Sequence, residues 1–257
     1  MKCPPAGRVL AFAAVLLAAA SVSAHAQSIK VTLLGTGNPA PVMNRFGPST
    51  LVQAGGQSLL FDAGRGAMQR LTQIHVHWQD IDGVFLTHLH SDHTVGFPDL
   101  WLSGWLVAPG RDHPLEVRGP AGTKEMMTHL AEAYAFDIGI RKSDDRAAPD
   151  GVVIHAQDIA EGVVFEKDGV TITAFEVDHS PVRPAFGYRL AFQGPSVVLS
   201  GDARVSEHML STSQVVDPLD HRVGAPPTMH TSGRSPSRGR GVLRTQNPHT
   251  TASGGFT

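Results

Sequence analysis

Apolar residues along this chain fall into short runs broken by glycine, proline and polar clusters. Ile29 to Leu34 is rich in β-branched and leucine side chains and runs into Gly35-Thr36-Gly37-Asn38-Pro39, which predicts a strand closing in a turn. Thr50 to Ala54 and Ser58 to Asp62 flank Gly55-Gly56, a hairpin signal, and Ala63 to Ile74 reads as helical. Gly83 to Thr87 is a buried strand that delivers His88 at its end, while Leu100, Trp101, Trp105 and Leu106 recur at helical spacing within Phe97 to Val107. Leu115 to Arg118 predicts another strand. Thr123 then stands as the cap of a helix whose Met126, Met127, Leu130 and Tyr134 form one apolar stripe facing the core.

From Val152 onward the pattern turns to strands: Val152 to His155, Val163 to Glu166, Val170 to Val177, Phe186 to Phe192 and Ser196 to Leu199. Lys167-Asp168-Gly169 and Gln193-Gly194-Pro195 supply turns between the last pairs. Helices mixed with long runs of adjacent strands imply an α+β layered sandwich rather than a Rossmann sheet.

The two ends behave differently. Lys2 and Arg8 precede an apolar run from Val9 to Ala20, and Ala24-His25-Ala26 offers small residues where a signal peptidase reads, so residues 1–26 are expected to be a removed signal peptide. The run is shorter than the roughly 20 residues a membrane span needs, so no membrane anchor is expected after cleavage. A helix start at Val205 to Leu210 closes the patterned region; over 211–257 periodicity disappears and Ser, Thr, Gly and Pro dominate, which predicts a low-complexity, disordered tail beyond a domain at 27–210.

Composition narrows the chemistry. Of 257 residues, 21 are Lys or Arg and 23 Asp or Glu, for a formal net charge of −2, which leaves no positive excess for a polyanion. Cys3 is the only cysteine, so neither a disulfide framework nor a thiolate metal site can form. The 14 histidines are the unusual feature. Four metal-capable side chains, His88, His90, Asp92 and His93, lie within six residues directly after an apolar strand. Side chains two apart point the same way in extended chain, so His88 and His90 can grip one metal, and Asp92 and His93 can face a second where the chain bends toward the Phe97 helix. Imidazole and carboxylate donors suit zinc, with manganese or iron as other options.

Thr87 to His93 resembles the His-x-His-x-Asp-His signature of the metallo-β-lactamase fold superfamily. Leu34 to Gly37, Arg45 to Ser49, Phe61 to Gly66, Thr87 to Gly96 and Gly201-Asp202-Ala203-Arg204 resemble its ribonuclease Z and arylsulfatase-like branch, and Gly96 to Trp101 is similar to a stretch in exported bacterial members. The resemblance covers residues 29 to about 210 and implies an αββα sandwich. Asp178-His179-Ser180, with Phe186-Gly187-Tyr188-Arg189 behind it, resembles the segment of the third histidine, which implies that His179 joins His88 and His90. Val197 to Asp202 resembles the strand whose last Asp bridges two metals, which gives Asp202 that role.

The family ends with a histidine at the close of a late strand, after a helix opening His-Thr-Thr or similar. Pro248-His249-Thr250-Thr251 resembles that triplet, and Asp217 to Gly224 a degraded His-Glu-Val segment. A truncated or frame-shifted C-terminus, with the αββα sandwich incomplete and the final ligand lost, is the expectation. His249 is left for an auxiliary role, protonating a leaving group, and His208, His221 and His230 read as solvated.

The resemblance thus implies a dinuclear zinc hydrolase in which Asp92 and His249 assist catalysis. Its substrate is expected to be a small phosphodiester or related ester. Ribonuclease Z-type processing of tRNA is the alternative, opposed by export and by the acidic region from Asp137 to Glu161 where that enzyme has a Gly- and Pro-rich arm. An inactive truncated relative and a β-lactamase-like hydrolase complete the alternatives, and a homodimer is suggested by the family. Removal of the signal would take Lys2 and Arg8 away and leave 19 basic against 23 acidic residues in a periplasmic or secreted protein. Protein collected from an export-competent host is expected to have the intact mass of a chain starting at Gln27; secreted protein still carrying Met1 would overturn that boundary.

Overall fold

A computed structural model describes residues 28–143 and 147–204. The predicted signal peptide, the helix start at 205–210 and the tail, with His208, His221, His230 and His249, lie outside the described residues. The first three strands, β1 (Lys30–Gly35), β2 (Ser49–Ala54) and β3 (Gln57–Phe61), form an antiparallel meander. After α1 (Ala67–Gln73) and a 3-10 turn at Trp78–Asp80, β4 (Gly83–Phe85) joins β3 in parallel. Helices α2 (Ser91–Thr94) and α3 (Phe97–Leu106) lead to β5 (Leu115–Gly119). Helices α4 (Thr123–Ala133) and α5 (Ala135–Ser143), then a 3-10 turn at Pro149–Val152, lead to β6 (Ile154–Asp158), and both strands extend the sheet in parallel. The resulting six-stranded sheet runs in the order β1-β2-β3-β4-β5-β6. A second, antiparallel sheet follows from β7 (Gly162–Lys167), β8 (Val170–Glu176), β9 (Phe186–Phe192) and β10 (Ser196–Leu199), ordered β10-β9-β8-β7.

The central strands are apolar at nearly every position because both faces of the larger sheet are covered. Leu51, Leu60 and Val84 face the helices, where Leu100, Trp101 and Trp105 of α3 and Met127 of α4 pack. Val52, Leu59, Phe61 and Phe85 face the second sheet and meet Ile172, Tyr188, Leu190 and Val197. Between the sheets Phe85 stacks on Phe61, with ring centroids 5.1 Å apart, and meets Tyr188 and Phe165 edge-on, each at 5.8 Å. On the helical side, buried Arg111 donates to the carbonyls of Trp101 and Gly151 and pins α3 to the turn before β6.

This packing carries the chain from the ends of β3 and β4 into two loops that press on each other. An added Cβ at Gly96 would lie 2.1 Å from the Gly64 carbonyl, and one at Gly64 would lie 2.5 Å from the Asp92 carbonyl. Bare backbone at both positions lets the segment after β3 lie directly against α2.

Several boundaries differ from expectation. The first helix starts at Ala67 rather than Ala63, because Asp62 to Gly66 form the loop just described. Thr123 is no cap: Gly122 holds the N-cap position at φ 99°, and the Thr123 hydroxyl donates to the Pro120 carbonyl. Of the stripe on α4 only Met127 is buried, and the helix ends before Tyr134. Helix α5 was not foreseen, since it buries no residue and leaves Phe136 84% exposed. Strand β6 begins at Ile154, after Pro149 has set a 3-10 turn. No described helix is long and apolar enough to cross a membrane.

Phe85 has no exposed surface and three aromatic neighbours, so Phe85→Ala is expected to lower the unfolding free energy by about 3–5 kcal/mol, measured by urea titration.

Candidate metal centre

The site is built where β3 and β4 end side by side. Asp62 follows β3 with φ 58°, a left-handed conformation uncommon for a side-chain-bearing residue, and its buried carboxylate points toward the segment after β4. There Oδ1 accepts the Thr87 N–H at 2.8 Å, and the Thr87 hydroxyl reaches both carboxylate oxygens, at 3.1 and 2.9 Å. Oδ2 also accepts from Nδ1 of His93 at 2.7 Å. The single hydroxyl hydrogen of Thr87 goes to Asp62, so its oxygen accepts from Nδ1 of His88 at 3.0 Å. Each imidazole thus spends Nδ1 on this frame and presents Nε2 toward the same space, His88 without a proton there.

His90 sits in extended backbone at the N-cap of α2, two residues after His88, and this one-turn helix carries Asp92 and His93 inward. From the second sheet, the loop between β8 and β9 brings His179, and the residues after β10 bring Asp202. Ligating atoms of His88, His90 and His179 lie within 4.8 Å of one another, as do those of His88, His93 and Asp202. Asp92 belongs to neither group, although its Oδ2 is 3.9 Å from Nε2 of His93. His88 belongs to both, yet offers a single free nitrogen. With His88 assigned to His90 and His179, a second ion would draw on Asp92, His93 and Asp202.

The donor set fits metal. Nε2 of His88 lies 3.0 Å from Nδ1 of His90, and Nε2 of His179 lies 3.4 Å from the same atom. Nδ1 of His90 holds at most one hydrogen and cannot donate to both neighbours, whereas ligands about 2.0–2.1 Å from a tetrahedral zinc lie about 3.3 Å apart, close to both spacings. Nε2 of His93 is buried without a partner, 3.6 Å from Asp202 Oδ2. Without metal this nitrogen carries a proton that reaches neither Asp92 nor Asp202 within hydrogen-bond range, and a metal ion taking the place of that proton would be shared by all three groups.

Electrostatics divides the histidines. Burial drives the His88 pKa down to about 3, aided by His93 and His179, so His88 is neutral and able to ligate. Burial alone would lower His93 as well, but the Asp62 carboxylate and the neighbouring Asp202 override it and raise the pKa to about 10 without metal. His179 is lowered chiefly by burial. For Asp202, burial opposes ionisation, and the neighbouring histidines, His93 foremost, outweigh it and lower the pKa.

Residues 29–232 match the family model for the anti-Pycsar protein Apyc1. The chain belongs to the Apyc1 family. This Apyc1 family chain is 44% identical over 177 residues to ribonuclease Z of Mycolicibacterium gilvum, covering 68% of its own length and 61% of that relative. To ribonuclease Z of Mycobacterium bovis (strain BCG / Pasteur 1173P2) it is 39% identical over 198 residues, covering 76% and 70%. Among solved structures it resembles the metallo-β-lactamase fold protein YhfI of Bacillus subtilis, with a TM-score of 0.56 and 20% identity over 75% of this chain and 68% of that one. Human tRNase Z, short form, gives a TM-score of 0.56 at 21% identity over 70% and 72%. The Apyc1 family chain thus has the two-sheet metallo-β-lactamase fold expected from its motifs.

Of the residues singled out by sequence, His88, His90, His93, His179 and Asp202 meet in this space with Asp92 beside them, while His249 lies outside the described residues. Asp62 and Thr87 were quoted only as parts of motifs and were given no role. The signal for Asp62 was a carboxylate directly after an apolar strand and before Ala-Gly.

The Asp62 to His93 pair gives a pH prediction. His93 titrates at about 10 when folded against 6.5 unfolded, so its contribution to metal-free stability is full below pH 6.5 and is lost as the pH rises through 10. Asp62→Asn is expected to cost roughly 3 kcal/mol at pH 6 and progressively less toward pH 10, read from urea midpoints of metal-free protein.

Proposed function

We propose that the chain is a metal-dependent hydrolase of phosphodiester bonds that works with two zinc ions. The observation that carries this reading is the convergence of His88, His90 and His179, and of His88, His93 and Asp202, where the two sheets meet. His88, His90 and His179 would hold one ion, Asp92 and His93 would hold the other, and Asp202 would serve both. When bound, zinc supplies a water acidified to a pKa of about 7 and a Lewis acid for a phosphoryl oxygen. The protein's own residues set the frame for that chemistry. Thr87 fixes the tautomer of His88 and Asp62 fixes the ring orientation of His93, so that Nε2 of each is directed at the site. Asp92, buried at the start of α2 beside His93, would help hold the second ion and orient the attacking water. His249 is assigned the donation of a proton to the leaving group.

The substrate in this reading is a small phosphodiester, a cyclic nucleotide among them, met outside the cytoplasm by an exported protein. Membership of the Apyc1 family and the absence of a net positive charge support it. Cleavage of precursor tRNA is the second reading, favoured by 44% identity to a protein named ribonuclease Z, of which the chain spans 61%.

Metal analysis by mass spectrometry, run beside hydrolysis of bis(p-nitrophenyl) phosphate, tests the proposal. About two zinc ions per chain are expected, and His90→Ala is expected to lower kcat/KM by about a hundredfold or more with loss of about one ion. Cleavage of precursor tRNA without turnover of small phosphodiesters would install the second reading. Protein with neither zinc nor turnover would overturn both and mark the chain as an inactive relative.

A further inference from the structure

Two arginines frame the side of the centre that the second sheet supplies. The loop carrying His179 is closed by an antiparallel bridge from His179 to Val182. Just before it, Asp178 Oδ1 accepts the Ser180 N–H at 3.1 Å and the Ser180 hydroxyl at 2.7 Å. Ser180 Oγ in turn accepts from Nη2 of Arg183 at 3.4 Å. From the other ligand loop, Arg204 follows Asp202 by two residues. Its N–H donates to the Asp178 carbonyl at 2.8 Å, and its guanidinium stands 3.7 Å from Asp178 Oδ2. One carboxylate thus ties together the loops of His179 and Asp202 and positions a guanidinium from each.

The arginines are not built like structural ones. Arg111 spends its guanidinium on two backbone carbonyls and is 1% exposed. Arg183 is exposed, and the Arg204 side chain is 67% exposed. Each carries five N–H donors in a planar fork that matches a phosphate, and Asp178 pairs directly with the guanidinium of Arg204 alone, while that of Arg183 reaches the Ser180 hydroxyl. Arg183 follows His179 on one ligand loop and Arg204 follows Asp202 on the other, and the bonds to Asp178 and Ser180 hold both guanidinia on that side of the centre.

We propose that Arg183 and Arg204 form a clamp for the phosphate group of the substrate, gripping oxygens turned away from the metal ligands and selecting phosphoesters over uncharged esters. Asp178 is the positioning residue of the clamp. The proposal rests on the hydrolase reading of the same site and deepens it from a hydrolase of esters to one that recognises the phosphate anion directly.

Calorimetric titration of zinc-treated protein with inorganic phosphate tests it, with zinc content measured on each sample. Arg183→Met and Arg204→Met are each expected to weaken phosphate binding about tenfold at unchanged zinc content, with Arg183→Lys keeping more of the affinity than Arg183→Met. With bis(p-nitrophenyl) phosphate, KM is expected to rise about tenfold in the Met variants while kcat stays within about threefold. Phosphate affinity equal to that of the parent in both Met variants, with folding verified by circular dichroism, would overturn the clamp. A parent that takes up no zinc and turns over no substrate would overturn the hydrolase reading instead, and the phosphate titrations of the same three variants would still decide the clamp.

Discussion

Asp62 leaves β3 in a left-handed conformation and turns its carboxylate into the protein, where donors from Thr87 and His93 meet it. A buried carboxylate without such donors would cost several kcal/mol, and the backbone conformation adds roughly 1–2 kcal/mol more. Asp62 is stable there only with β4 beside β3 and with α2 presenting His93. The strand ends, the start of α2 and the orientation of two imidazoles are therefore one arrangement. The loops beside it are correspondingly tight, since a methyl group at Gly64 would run into the Asp92 carbonyl and one at Gly96 into the Gly64 carbonyl.

The same segment fixes the second sheet. Phe186 donates its N–H to the Thr87 carbonyl at 2.8 Å, and the Tyr188 hydroxyl donates to the Leu86 carbonyl at 2.6 Å. Burial and the nearby Asp62 charge push the Tyr188 pKa well up, so the hydroxyl stays a donor. Strand β9 is thus set against the end of β4. From β9 the chain reaches back to His179, and its partner β10 runs on to Asp202.

How much of this could be read from sequence follows from the range of the interactions involved. The strands were legible because alternation and two-sided burial are written locally, and His88, His90, Asp92 and His93 because the bend that gathers them spans only six residues. His179 and Asp202 stood out through resemblance alone, because it is sheet pairing that places them near His88, 91 and 114 residues away in the chain. Asp62 read only as the last residue of a strand, since the donors that give it meaning come 25 and 31 residues later. Helix α5 was missed because it has no buried face to leave a periodic trace, and Thr123 was misread because a threonine before an apolar stripe serves equally as a cap or, as here, as the first helical residue.

The donors come from both sheets, His88, His90 and His93 from one and His179 and Asp202 from the other. Phe61, Phe85 and Tyr188 fill the space between those sheets. The rings act as a spacer, and the span between the two halves of the donor set is a gauge of how thick the hydrocarbon layer is. Side-chain volume deep in the core is in this sense a coordination parameter: a change of one methylene among these rings would be felt as a change of bite at a centre that none of them touches.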